Sequence, residues 1–184
     1  MSVLLSAVER LSARLARLRS ARALHPHGTV AAATWTVNDP TSALGRTLGT
    51  GSRPAVVRLS RGLGLPRPLP DVHGVAVRME ADGHRVDLLF SGGAGVVSTL
   101  LPYRAPGGLV LLGLRSEPGG YAIGEYAGAG GWCAVGTLRL AEPVGDDEDP
   151  FDPYLHHHPD LMPVRLLAGV REAAYRGSRR GRSH

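Results

Sequence analysis

The chain reads as an α+β protein whose body is an antiparallel β-barrel, with one helix before it and one after it. Three observations predict this class. Seven short stretches, alternating or continuously apolar, follow one another at hairpin spacing. The 25 Gly and 14 Pro among 184 residues supply the turns between them. A helical period of three and four appears only near the two ends of the sequence. A chain of this length fits one domain and buries roughly 70% of its unfolded surface.

The first helix is expected over residues 3–20. Leu4, Val8, Leu11, Leu15 and Leu18 form one face, Ser2 is placed to cap the N-terminus, and Arg14, Arg17 and Arg19 fall late, where the macrodipole favours them. An arginine-rich amphipathic segment also suits a transit peptide or a membrane-surface helix. Here it joins the next motif without a linker, which favours packing on the domain.

The barrel is expected over 29–140. From Thr29 the period changes to two, with Val30, Ala32, Thr34 and Thr36 set against Ala31, Ala33, Trp35 and Val37. Further strands are read at Ala55 to Leu59, Gly74 to Met79, Arg85 to Phe90, Leu109 to Leu114, Tyr121 to Tyr126 and Cys133 to Leu140. Asp82-Gly83, Pro118-Gly119-Gly120 and Gly128 to Gly131 separate them as turns. Residues 141–160 then read as an acidic, proline-containing loop. A C-terminal helix follows over 163–180, with Leu166, Leu167, Val170, Ala173 and Ala174 on one face.

Composition narrows the function classes. The net charge is +5, and all 21 basic residues are arginine, which a GC-rich genome explains. The arginines are scattered except for Arg176, Arg179, Arg180 and Arg182, so the basic stripe with stacking aromatics that nucleic-acid binding needs is missing. An RNA-associated role resting on that tail ranks third among the readings. A single cysteine, Cys133, leaves no internal disulfide and no cysteine-rich zinc site, and it fits a reducing cytoplasm. No apolar run approaches the roughly 20 residues that span a bilayer, and no secretory leader pattern opens the chain, so a soluble protein off the membrane is expected. His156, His157 and His158 are a weak metal motif, because adjacent side chains in an extended loop diverge. Gly62-x-Gly64 and the Gly92 to Gly95 cluster lack the strand-to-helix context of a nucleotide loop.

The chemistry-bearing residues lie in two groups. Arg22-Ala-Leu24-His25-Pro-His27-Gly28 runs straight into the first strand. Val57-Arg58-Leu59-Ser60, Asp71-Val-His-Gly74-Val-Ala76-Val-Arg78 and Asp87-Leu88 follow in order. At the other end, Arg171-Glu-Ala-Ala-Tyr175 sets a guanidinium beside a phenol at i, i+4 on a helix. The first group resembles the distal haem-pocket motifs of the catalase superfamily: Arg-Val-Val-His-Ala-x-Gly, Val-Arg-Phe-Ser, Asp-x-x-Gly-Phe-Ala-x-(Lys or Arg)-Phe, and an Asp-Leu pair. Pro163 to Tyr175 resembles the C-terminal helix of small catalase-related haem peroxidases and allene oxide synthase-like proteins. Phe151-Asp-Pro-Tyr154 resembles their Phe-x-Pro-Trp.

This resemblance implies a trimmed catalase-like barrel that binds haem b, with iron held by Tyr175. Positive charge from the metal and from Arg171 would keep that phenol as phenolate. His25 would be the distal acid/base group, with His27 as a fallback, and Ser60 would fix its tautomer. Arg22 and Arg58 would pair with the propionates or tune the proximal side, and Leu24 would line the pocket. The implied activity is peroxidase-like, on hydrogen or organic peroxides with a small organic substrate, and the arrangement is compatible with a homo-oligomer. Three departures matter. Asp87-Leu-Leu-Phe-Ser91-Gly92 lacks the asparagine that orients peroxide in catalases, Ala168-Gly169 replaces Asn-Arg, and the insertion after the Asp-Leu region shrinks to Gly92 through Gly108. Efficient peroxide dismutation is therefore not expected. The competing reading is a non-catalytic barrel that binds haem, a lipid-like ligand or a protein partner.

Overall fold

A computed structural model of the chain describes residues 27–61, 73–93, 95–126, 131–145 and 149–164. The barrel belongs to one compact unit made of residues 28–60 and 72–163, and it is described here by itself. The expected helix 3–20 lies outside the described residues. So does the expected helix 163–180, apart from Pro163, which forms part of a short strand, and Val164, which has no regular structure.

All seven expected strands are present, and each is longer than its sequence signal. They are β1 (His27–Val37), β2 (Gly51–Arg61), β3 (His73–Ala81), β4 (His84–Gly92), β7 (Gly108–Glu117), β8 (Gly120–Tyr126) and β9 (Trp132–Gly145). Three further strands, β5 (Val96–Ser98), β6 (Tyr103–Ala105) and β10 (Met162–Pro163), are too short to carry a readable period. A helix inside the barrel region was also not expected: α1 (Ala43–Leu48) connects β1 to β2. Its signal is the N-cap, where the Ser42 hydroxyl accepts from the Gly45 amide at 2.9 Å.

The hydrogen-bonded order β7-β5-β4-β3-β2-β1-β9-β8 closes on itself through β7–β8, giving an eight-stranded antiparallel ring with β6 and β10 added outside it. Closure follows from the pattern. Trp35, Val37, Val57, Val77, Leu88, Leu112, Leu114, Ile123 and Leu138 are fully buried, and they fall on alternating positions or across a bulge. Register partners share a face, as in Val77 with Leu88 and Leu114 with Ile123, so one inward set fills the barrel. An interior filled by side chains is what an eight-stranded ring allows.

Two places depart from the expected boundaries. The acidic loop does not start at 141, because β9 continues to Gly145 along the first residues of β1, pairing Val30 with Gly145 and Ala31 with Pro143. Irregularities in the register absorb Glu142-Pro143, so the ladder tolerates a proline that a regular central strand would reject. The ring also has a seam. β4 meets β5 at only two pairs, Ser91 with Ser98 and Gly92 with Val97. Further along, the chain of residues 149–163 returns and lies against β4 and β6, with the Asp87 amide donating to the His156 carbonyl at 2.9 Å.

Candidate functional site

β1 and β2 are neighbours in the ring, with Gly28 beside Leu59 at one end and Thr36 beside Ser52 at the other. This antiparallel pairing brings together residues the sequence holds thirty positions apart. A methyl group built on Gly28 would lie 2.7 Å from the Arg58 guanidinium carbon and 2.7 Å from the Leu59 carbonyl oxygen. Gly28 is therefore glycine because the Arg58 side chain lies across its Cα. Arg58 is 5% exposed, and it alternates with the inward-facing Val57 and Leu59 on β2.

Ser60 follows on the same face as Arg58 and is half-buried. Its hydroxyl donates to the Gly74 carbonyl of β3 at 3.4 Å, a long bond. With its proton committed there, the oxygen presents lone pairs, which is what a neighbouring imidazole N–H requires. Of the expected site, Arg58 and Ser60 are described. Arg22, Leu24, His25, Arg171 and Tyr175 lie outside the described residues, as does the side chain of His27.

Leu59, Tyr121 and Leu140 are the partly buried side chains packed against the core. Burial raises the Tyr121 phenol above its ordinary value, so it stays protonated as a donor. At the opposite end α1 acts as a plug, with Leu44 and Leu48 buried. The carboxylate of Glu125, 6% exposed on β8, accepts the Ala43 and Leu44 amides at 3.0 and 2.7 Å. That satisfies two N-terminal amides of a helix too short to sustain itself.

Gly92 is glycine for a structural reason. A side chain at Gly92 would meet the Val96 carbonyl oxygen at 2.6 Å and the Val97 Cα at 3.0 Å. The close β4–β5 approach that completes the ring therefore excludes any side chain from that position.

A second cluster was not expected as a functional group, although Asp87 was noted. Asp87 is fully buried on the outer side of β4 and sits opposite Arg78 in the register. Its carboxylate accepts from Arg78 Nε at 3.1 Å, Arg85 Nη2 at 3.4 Å and the Asp152 amide at 2.8 Å. Asp149 completes it by pairing with Arg85 at 2.6 Å and Arg78 at 3.4 Å, and the Arg78 guanidinium stacks 4.1 Å from the Phe151 ring centroid. Two carboxylates and two guanidinium groups balance. The bond from Arg85 and the nearby charges hold the Asp149 carboxyl below its ordinary range. Burial works to lower Arg85, yet its bonds and charge contacts with Asp149 and Asp87 outweigh burial and raise it. The signal was readable in principle, as a carboxylate inside an otherwise apolar strand with an arginine opposite.

Among the described residues no group of three or more His, Cys, Asp or Glu is arranged to hold a metal ion. His158 is engaged otherwise. Its Nδ1 accepts the Asp160 amide at 3.2 Å, its Nε2 lies 3.7 Å from Asp82, and its ring meets His84 edge-on. A shallow groove of about 350 Å³ lined by Asn38, Asp39, Ala122, Val135 and Thr137 contains none of the expected site residues. No family model matches the chain, and no curated protein matches it.

Proposed function

We propose that the chain is a haem-dependent, peroxidase-like oxidoreductase built on a shortened catalase-like barrel, with His25 as distal acid/base group and Tyr175 as iron ligand. The observation that carries the reading is the contact of Arg58 with Gly28. It sets Gly28, the last residue of the Arg22-to-Gly28 motif, against the Val57-to-Ser60 motif on the adjacent strand, which supports reading the two motifs together. The fit to haem is testable on the barrel itself. The interior is filled by Trp35, Leu88, Leu112 and Leu138, so a porphyrin has no room within it. The group would have to be met at the β1-start end, where Arg58 would pair with a propionate as the resemblance implies.

The haem iron, when bound, supplies the centre at which peroxide is reduced. The chain's own residues manage protons and position. His25 takes the proton from the inner peroxide oxygen and delivers it to the departing one. Ser60 accepts from the other imidazole nitrogen with the lone pairs left free by its bond to Gly74, fixing which nitrogen is basic. Arg171 lowers the proton affinity of Tyr175. Ser91-Gly92 supplies no asparagine to orient hydrogen peroxide, so efficient dismutation is not expected, and the substrates are hydrogen or organic peroxides.

A second reading, a ligand-binding barrel without turnover, is favoured by the apolar, half-buried trio Leu59, Tyr121 and Leu140. One experiment separates the two. Full-length protein reconstituted with haem is expected to show a ferric tyrosinate-type spectrum that disappears in Tyr175→Phe, and to lose peroxide turnover in His25→Ala. Protein that remains colourless after reconstitution overturns the haem reading. Bound haem with no peroxide reaction selects the binding reading, and full activity in His25→Ala overturns His25 as the acid/base group.

A further inference from the structure

The outer face of β7, β8 and β9 carries an aromatic and charged arrangement. Gly113 and Gly124 stand opposite each other on β7 and β8, and Trp132, the first residue of β9, lays its half-buried indole across both. A methyl group built on Gly113 would lie 2.7 Å from Cζ3 of that ring, and one on Gly124 would lie 2.6 Å from Cε2. Tyr126 meets the indole edge-on, with 5.3 Å between ring centroids. One face of the ring rests on the sheet, so the Arg115 guanidinium lies over the other, 4.9 Å from the ring centroid. The glycines explain where the ring lies. They do not explain the arginine. Arg115 is exposed, and among the described residues its guanidinium makes no hydrogen bond and no ion pair. The neighbouring carboxylate goes elsewhere, because Glu117, two positions along the same strand, pairs with Arg139 at 3.9 Å. Stacking holds a guanidinium by its face and leaves its in-plane N–H groups turned outward, the fork that grips a carboxylate.

The groove of about 350 Å³ adjoins this arrangement. Ala122, the register partner of Arg115, and Ala134, two positions beyond Trp132, give it an apolar floor. Asn38, Asp39, Glu117 and Thr137 add polar groups, and Asp39 keeps one oxygen in hand, since only Oδ1 serves Thr41. The volume suits a small molecule of one or two rings. A ring with C–H faces and a hydroxyl rim matches such a lining, because hydroxyl protons satisfy carboxylates, which can only accept. The two carboxylates also oppose a polyanion, so the charge this face accommodates is a single acid group placed at Arg115. We propose that it binds an acidic sugar of the uronate class. The sugar carboxylate is forked onto Arg115, and the hydroxyls meet Asn38, Asp39, Glu117 and Thr137. Trp132 is a positioning residue that fixes the guanidinium.

The test is calorimetric titration of the full chain with digalacturonic acid and, separately, with its methyl ester, which keeps most of the hydroxyls and loses the charge. The acid is expected to bind one molecule per chain, and the ester at least about tenfold more weakly. Arg115→Gln should weaken the acid by roughly tenfold to a hundredfold and leave the ester unchanged. Trp132 reports independently. The acid should alter tryptophan emission in the wild type but not in Trp132→Phe, where the remaining Trp35 is fully buried. Because Arg115 is exposed, the urea midpoint of Arg115→Gln should match that of the wild type. If that variant unfolds, the comparison of acid with ester on the wild type decides alone. No binding of the acid at millimolar concentration, equal affinity for acid and ester, or displacement of the acid by a single-stranded oligonucleotide overturns the proposal. The readout needs no haem, so it stands or falls separately from the proposed activity.

Discussion

Gly28 and Glu125 show how single residues set the two ends of the barrel. At Gly28 a β-carbon would collide with both the Arg58 guanidinium and the Leu59 carbonyl. Gly28→Ala is therefore expected to destabilise the fold by about 1–3 kcal/mol, measured by urea denaturation. Adding Arg58→Ala should recover only part of this, because the carbonyl remains in place. Glu125 works the other way, as a buried acceptor for two helix amides. Glu125→Gln keeps one acceptor oxygen and leaves one amide unpaired, so a loss of about 1–3 kcal/mol is expected in thermal or chemical unfolding. Tyr121 sits between these ends. Its phenol is raised by burial from an ordinary 10.0, so the stability tied to its neutral form is complete below that value and is lost as pH rises through the folded value. Ultraviolet titration of wild type against Tyr121→Phe should show this phenol ionising later than an unperturbed tyrosine.

The elements owe their joints to pairs rather than to single residues. The Asp149 carboxyl is held below its ordinary 3.8, chiefly by the bond from Arg85. A depressed carboxyl contributes stability above the unfolded value, and that contribution fades as pH falls through the folded one. Asp149 is 53% exposed, so the expected size is about 0–1 kcal/mol. Thermal midpoints of wild type and Asp149→Asn should differ slightly at neutral pH and converge in acid. A gap that persists below the carboxylate range would mean that Asp149 acts through packing instead. The short strands β5, β6 and β10 belong to this scale as well, because each is defined by a neighbour that recruits it and by no pattern of its own.

At the scale of the molecule, one interior couples eight strands. Leu112 and Leu88, both fully buried, come from opposite sides of the seam yet belong to one cluster. Replacing either by alanine is expected to cost about 2–5 kcal/mol, with all spectroscopic probes still reporting one transition if the ring melts as a unit. Non-coincident transitions would show that the seam divides it. The filled interior also limits function, since any ligand of appreciable size must be met at an end of the barrel or on its outer faces.

Strand identity was legible in the sequence because it depends on local alternation, which Val30 to Val37 and Gly74 to Met79 display without reference to anything distant. Arg58 and Ser60 stood out in the sequence as well, and both fall on one face of β2. Other features were not legible, because they arise from pairings between distant segments. The turn of Ser42 was hidden among ordinary loop residues until Glu125, more than eighty positions away, supplied the acceptor for α1. The reason for Gly92 depends on how closely β5 approaches β4, and the role of Asp87 depends on a chain that returns sixty-five residues later. The sequence by itself determined an antiparallel barrel, through side-chain periodicity. Ring closure, the plug and the seam were decided only in the tertiary structure, where buried polar groups must find partners that no local pattern specifies.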